Sequence, residues 1–126
     1  MKLSEFIRFG AMLKPQGFGL MASYPNSVST CAIGAALEAL IGEARLSSRS
    51  THYEFARNFP WVHLIVAPNP VSGDQEYVSG VIWKLNDIHR WTREQIANWV
   101  ATVEPQEELN PPSVPIYEET PEEVIA

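Results

Sequence analysis

The sequence predicts a mainly α-helical fold: one compact domain of about four helices, with or without one short β element, followed by an extended acidic arm. Apolar residues recur at helical spacing between residues 77 and 103, and an almost wholly apolar segment covers residues 31–41. The last 23 residues combine seven acidic residues with five of the ten prolines, a composition that does not build a packed core. We therefore divide the chain into a helical domain, residues 1–103, and an arm, residues 104–126.

The first third of the chain predicts two helices joined by a loop. Apolar residues recur at helical spacing over Leu3–Lys14, where a proline follows and ends the pattern. Residues 15–29 are rich in Gly, Pro, Ser and Asn, which is typical of a loop. A second helix is predicted to begin with Ser29 or Thr30 as its N-cap. Because it is apolar on nearly every face, it should be the central buried helix, with Gly34 and its alanines allowing close approach of neighbours.

The middle of the chain gives weaker signals. Residues 45–60 predict a loop and a short helical turn around residues 53–58. The run Trp61–Val66 is dense in branched and aromatic residues, but the prolines on both sides confine it to an isolated or edge strand. Residues 67–76 have the composition of turns throughout.

The segment from residue 77 to residue 103 predicts a helix, a polar turn and a second helix. Thr92 is followed three residues later by Gln95, which is the spacing of a capping box at a helix start. Apolar residues then fall on one helical stripe. Its members are Ile96, Trp99, Val100 and Val103.

The polar residues between these two helices have a structural interpretation. Asn86 and Asp87 should end the first helix and brace the turn, with their side chains bonding nearby backbone groups. Trp91 precedes the cap and should pack near Ile96 as a hydrophobic staple. We therefore interpret this region as scaffolding rather than as reacting groups.

Charge is strongly segregated along the chain. Residues 1–103 carry nine basic and eight acidic residues, a net charge of +1, while the arm carries seven acidic residues and no basic one. Val114, Ile116 and Tyr117 form an apolar cluster between the acidic residues of the arm. The arm could be a solubilising tail. Alternatively, the cluster docks on a surface, because an apolar cluster gains free energy only when it is buried.

Length and composition limit the class of protein. At 126 residues, 45% of them apolar, the chain should build one hydrophobic core. No apolar run approaches the roughly 18 to 20 residues that cross a bilayer, and the N-terminus lacks the pattern of a secretory signal. The one cysteine allows neither an internal disulfide nor a zinc site of several cysteines within one chain. We expect a soluble cytoplasmic protein.

Two segments carry a resemblance to a known family. CAIGAALEA, residues 31–39, and VIWKLNDIHRWTREQIANWV, residues 81–100, resemble hallmark segments of a family of small uncharacterised bacterial and phage proteins, and AMLKPQ, residues 11–16, fits the same pattern. The resemblance covers most of residues 1–103 and none of the arm. Some relatives carry a Cys-Pro-x-Cys knuckle where this chain has Ala67–Pro70, so it has no thiolates for any metal they bind. The resemblance implies a fold and a phage or prophage association, without an activity.

Cys31, His89 and Asp87 are the candidate catalytic residues, with Asn86 as an alternative to the aspartate. Cys31 lies at the first turn of a predicted helix, where the peptide dipoles favour a thiolate, and with His89 and Asp87 it could form a nucleophilic arrangement. The alternative is structural, because a cysteine in a helix without a polar face is more often a small buried hydrophobe. We favour the structural alternative.

Metal, cofactor and nucleic-acid sites are not expected. His52, His63 and His89 are 11 and 26 residues apart, so no two of them share a helical face at the usual ligand spacing. No Gly-rich phosphate loop is present. A domain at +1 with an acidic arm gains little from binding a phosphate backbone, so specific nucleic-acid binding is unfavourable, although the arm could compete for a basic protein surface.

Two hypotheses of function follow. The first is a noncatalytic interaction or assembly protein, encoded by a phage or prophage, that binds another protein through its aromatic-rich body, including Trp91, and through the arm cluster of residues 114–117. The second is a small enzyme that uses Cys31 and His89. The sequence favours the first because it holds no complete catalytic signature.

Overall fold

The structure, a computed structural model, describes residues 1–19, 27–46 and 50–106. Within these ranges the protein is mainly helical, which confirms the predicted fold class. Five helices have eight residues or more, against about four predicted. The elements are α1 (Leu3–Ala11), α2 (Ala32–Ile41), α3 (Glu43–Leu46), α4 (Thr51–Asn58), a 3-10 turn (Pro60–His63), β1 (Val66–Pro68), β2 (Gln75–Tyr77), α5 (Val78–Asp87) and α6 (Arg93–Val103).

Helix α2 lies at the centre and packs against α1, α4 and α5. Ala32, Ala35, Ala36 and Leu37 are fully buried, as expected of a helix without a polar face. The close approach occurs at Gly10 of α1, where an added Cβ would lie 1.8 Å from the carbonyl oxygen of Ala35. A glycine of α1 therefore lies opposite Ala35, one of the alanines predicted to allow close approach.

The start of α2 differs from the prediction. Its N-cap is Cys31 rather than Ser29 or Thr30, and the Cys31 Sγ accepts a hydrogen bond from the Gly34 N–H at 3.4 Å. Thr30 is instead paired with the loop that follows α1, since its N–H donates to the Pro15 carbonyl at 2.9 Å. Because Thr30 takes part in this pairing, the N-cap of α2 lies one residue after Thr30 and two after Ser29.

The predicted strand Trp61–Val66 is wrong over most of its length. Pro60 begins a 3-10 turn that buries Val62, and only Val66 belongs to β1. The segment 67–76, predicted as turns throughout, contains most of β2, which pairs antiparallel with β1 in the register Val66 to Tyr77. Proline favours the first turn of a helix because its fixed φ suits it and its missing N–H costs nothing there. A short apolar run does not by itself distinguish a strand from a buried turn.

The pair α5 and α6 follows the predicted pattern. Helix α5 buries Val78, Val81, Ile82 and Leu85, and α6 buries Ile96 and Val100 along the predicted stripe. The Thr92 side chain accepts from the Gln95 N–H at 3.1 Å, and the Gln95 side chain accepts from the Thr92 N–H at 2.9 Å. This capping box satisfies donors that the first turn of α6 would leave without partners.

The end of α6 is attached to the start of α1. The buried carboxylate of Glu104 accepts from the Ser4 hydroxyl at 2.6 Å and from the Ser4 N–H at 3.1 Å. Lys2 Nζ donates to Gln106 Oε1 at 3.0 Å. Residues 104–106, which the sequence assigned to the arm, are thus held against the helical domain. Val114, Ile116 and Tyr117 lie outside the described residues.

Among the described residues, no helix has both the length and the apolar character needed to span a membrane.

Candidate functional site

A cavity of about 330 Å³ lies between α2, α4 and α5. Its lining combines buried residues with exposed ones, among them Trp83, which is 50% exposed. The cavity is predominantly apolar with a few polar groups, which is the usual character of a ligand site. Its lining residues are Gly19, Cys31, Ala32, Ile33, His52, Ile82, Trp83, Asn86 and Asp87.

Cys31 lies in the cavity wall at the N-cap of α2, with 8% of its surface exposed. Burial raises the pKa of its thiol, while the N–H groups of Gly34 and Ile33 act in the opposite direction. The negative charge of Asp87 raises the same pKa further. Because the pKa is raised, the sulfur is a neutral thiol at pH 7, which is a weak nucleophile.

Asn86 is almost completely buried and connects three separate segments of the chain. Its Oδ1 accepts from Gln16 Nε2 at 3.0 Å and from the Ala32 N–H at 3.2 Å. Its Nδ2 donates to the Gly17 carbonyl at 3.0 Å and to Asp87 Oδ1 at 2.8 Å. Both donors and both acceptor positions of the amide are therefore engaged. Asn86 holds α5, the start of α2 and the loop after α1 together at one end of the cavity.

Asp87 holds the rim of the cavity. Its Oδ1 accepts from the Gly19 N–H at 3.0 Å as well as from Asn86. Beside it, the guanidinium of Arg90 lies 4.1 Å from the centre of the Phe18 ring, a cation–π contact. Arg90 has a φ of 56°, and its Nε donates to the Asp87 carbonyl. The turn after α5 thus fixes the loop that carries Phe18 and Gly19.

Arg93 supports the same loop from α6, a role the sequence analysis did not identify. Its guanidinium donates to Thr30 Oγ1 at 2.6 Å and to the Lys14 carbonyl at 2.7 Å. The side chain is largely buried, and burial lowers the pKa of the guanidinium. An arginine in the first turn of a helix opposes the helix dipole, so its position is explained by these long-range bonds rather than by local preference.

The structure brings together only two of the three candidate catalytic residues. Cys31 and Asp87 line the cavity, but His89 does not; it lies in the turn after α5, where its N–H donates to the Lys84 carbonyl. The histidine at the cavity is His52, on the first turn of α4. Sequence spacing could not select it, because His52 comes to the cavity only through the packing of α4 against α2.

The predicted binding residue Trp91 is half-buried and packs against the hydrophobic core. Its N–H donates to the Leu85 carbonyl at 2.9 Å, and its own carbonyl accepts from Gln16 Nε2 at 2.8 Å. The tryptophan that lies at the cavity is Trp83. Helical periodicity could have found it, because residue 83 lies off the face that residues 78, 81, 82 and 85 bury.

In residues 1–19, 27–46 and 50–106, no group of three or more His, Cys, Asp or Glu side chains is placed to hold a metal ion.

No protein-family model matches this chain, and comparison with curated proteins and with solved structures finds no match either. The resemblance to small bacterial and phage proteins therefore stays a prediction.

Proposed function

We propose that this protein is a noncatalytic binding protein whose cavity receives an apolar side chain of a partner protein. The cavity itself carries the proposal: it has about 330 Å³ of space and is lined by the apolar side chains of Ile33, Ile82 and the half-exposed Trp83. Apolar anchors inserted into such pockets contribute most of the binding free energy at protein interfaces. A preformed cavity also limits the conformational cost of binding.

The polar groups of the cavity support binding rather than catalysis. The Asn86 amide is fully engaged, by the Ala32 N–H, the Gly17 carbonyl and the side chains of Gln16 and Asp87. Asp87 Oδ1 accepts from the Gly19 N–H and from Asn86. The Cys31 thiol is neutral because burial raises its pKa, and the negative charge of Asp87 acts in the same direction. A catalytic cysteine requires the opposite environment.

The acidic arm is proposed to add affinity for a partner with a basic surface. Seven acidic residues without a basic neighbour attract such a surface over a distance of about a Debye length, roughly 8–10 Å. On this proposal the protein acts in the cytoplasm, in the host cytoplasm if a phage encodes it. The proposed partner is another protein, not a membrane or a specific nucleic-acid sequence.

A methyl and indole NMR titration of the full chain tests the cavity. N-acetyl-tryptophanamide should shift the signals of Ile33, Ile82 and the Trp83 indole N–H, while N-acetylglycinamide should not. Ile33→Trp fills the cavity and should abolish the shifts. Ile88→Trp, the same change at an exposed isoleucine outside the cavity lining, should preserve them. Absence of shifts at millimolar tryptophanamide in the wild-type chain would refute the proposal.

The second candidate is a cysteine-dependent enzyme, now with His52 in place of His89. The observation in its favour is that Cys31, His52 and Asp87 line the same cavity. The rate at which DTNB, a thiol reagent, modifies Cys31 separates the two functions. An enzyme requires fast modification at pH 7 that His52→Ala slows and that His63→Ala, at another exposed histidine, leaves unchanged. A binding protein requires slow modification at pH 7, with a rate that keeps rising with pH beyond the ordinary thiol pKa of about 8.5, because burial raises the pKa of Cys31.

A further inference from the structure

Helix α1 and the residues at its two ends expose an apolar face. Phe9 on the helix and Met12 and Leu13 in the turn that follows it are 54%, 80% and 60% exposed, and Met1, just before the helix, lines the same groove as Phe9 and Leu13. The other face of α1 is buried in the core, through Leu3, Ser4, Ile7 and Gly10. Neighbouring exposed apolar side chains of this kind indicate a docking surface.

The exposed face has grooves on both sides of Phe9. One, of about 280 Å³, is lined by Met1, Phe9, Leu13 and Ala39, and the other, of about 250 Å³, is lined by Glu5, Arg8, Phe9 and Met12. Both are shallow and apolar over most of their surface. They have the shape that an extended segment with apolar side chains would fill.

The chain itself supplies such a segment close to this face. The described part ends at Gln106, which is bonded to Lys2 at the start of α1. Ile116 follows ten residues later, so it can lie at most about 33–36 Å from Gln106, whereas α1, with nine residues, is only about 14 Å long. A short tether of this kind gives an effective concentration in the millimolar range.

The sequence of the segment suits the grooves. Val114 and Ile116 are two residues apart, so in an extended conformation they point to the same side. The prolines at positions 112 and 115 favour extended backbone in the residues that precede them. Glu118 and Glu119 follow the cluster, and Arg8 lines one groove with 37% of its side chain exposed.

We propose that residues 113–117 of the arm lie on the exposed face of α1, with Val114 and Ile116 in the grooves beside Phe9. This contact anchors the arm to the domain and keeps its acidic residues displayed at the surface. This inference does not depend on the cavity, which is lined by residues of α2, α4 and α5. A negative result in the tryptophanamide titration would therefore refute the proposed function without bearing on the arm contact.

A paramagnetic label in the full chain tests the contact. A nitroxide is attached at Ser113→Cys in a Cys31→Ser background, where serine keeps an acceptor at the N-cap of α2. The methyl signal of Met12 should lose most of its intensity in the oxidised sample and recover it on reduction of the nitroxide. A Met12 signal that stays sharp overturns the proposal.

Matched variants show whether the apolar cluster makes the contact. Ile116→Asp should restore the Met12 signal, while Ile125→Asp, the same change near the end of the arm, should not. Leu13→Asp should remove the contact, judged on the same signal, and Leu64→Asp, at an exposed leucine that lines neither groove, should preserve it. Circular dichroism checks that each variant is folded.

Two further outcomes count against the proposal. Signal loss that survives Ile116→Asp would mean that charge rather than the apolar cluster attracts the arm. Signal loss that appears only when labelled chains are mixed with isotopically enriched unlabelled chains would mean that the arm of a second copy occupies the face.

Discussion

Replacement of Asn86 by alanine should destabilise the protein strongly, because its side chain joins α5 to the start of α2 and to the loop after α1. The change removes the partner of the Ala32 N–H at the start of α2 and of the Gly17 carbonyl, both of which are buried. Leaving one buried backbone group without a partner costs about 1–3 kcal/mol. Water entering from the adjoining cavity offsets part of this cost. We expect a loss of about 3 kcal/mol in the free energy of unfolding, or about 10 °C in Tm.

Urea unfolding followed by circular dichroism measures this loss, with an unchanged m-value as the check that only stability has changed. The matched control is Asn98→Ala, since Asn98 is exposed on α6 and its side chain only accepts a hydrogen bond from Arg8. The control should cost no more than about 0.5 kcal/mol. A loss below about 1 kcal/mol for Asn86→Ala would show that its four hydrogen bonds do not hold the fold together.

A second replacement separates the donors of Asn86 from its acceptors. Asn86→Asp keeps the shape and the acceptor for Ala32, but places a carboxylate against the Gly17 carbonyl and Asp87. Burial and the neighbouring charge should raise the pKa of the new carboxyl above its unfolded value of about 3.9. The variant should therefore be at least as unstable as Asn86→Ala at pH 7 and recover stability as the pH falls, because the protonated group can donate again. Equal stability of the variant and the wild type at pH 7 would refute the donor role.

Three further predictions concern residues at which the chain makes close or buried contacts. Gly10→Ala should cost about 1–3 kcal/mol because its Cβ would overlap the carbonyl of Ala35, whereas Gly80→Ala, in an open position on α5, should stabilise by about 0.4–1 kcal/mol; urea unfolding of the pair decides. Burial raises the pKa of Cys31 in the folded state, so the protonated thiol contributes to the stability of the fold. This contribution is fully present below the unfolded pKa of about 8.5 and is lost as the pH rises through the folded pKa. Stability measured from pH 7 to pH 10 should thus fall more steeply for the wild type than for Cys31→Ser, and parallel curves would contradict the shift. Arg93→Lys should cost about 2 kcal/mol, since one ammonium cannot replace a guanidinium that bonds two separate segments, and a thermal melt identical to the wild type would contradict this role.

The helices of this fold were predictable wherever their signals are local. The capping box of Thr92 and Gln95 and the apolar stripe that follows it depend only on residues within one or two turns, and both are present in α6. The short β-hairpin was not predictable in the same way. Its second strand, Gln75–Tyr77, has no alternation of buried and exposed apolar residues, and it is defined by pairing with β1.

The candidate site was predictable in part, for a related reason. The sequence predicts that the side chains of Asn86 and Asp87 bond nearby backbone groups. They do bond backbone groups, but these belong to Gly17, Gly19 and Ala32, which are 54 to 69 residues away in the sequence. No local pattern specifies partners at such separations. The same holds for His52, which comes to the cavity through helix packing.

Cys31 shows how one residue can serve two demands that conflict for most side chains. As the N-cap of α2 it must accept a hydrogen bond from Gly34, a task for which serine, aspartate or asparagine is normally preferred. As part of an apolar cavity wall it should carry no strongly polar group, since an incompletely bonded hydroxyl there costs about 1–3 kcal/mol. A thiol is a weak acceptor and a small hydrophobe, and therefore meets both demands moderately well. The choice of sulfur at this position is thus explained by a residue that must both cap α2 and line a largely apolar cavity, without any need for a nucleophile.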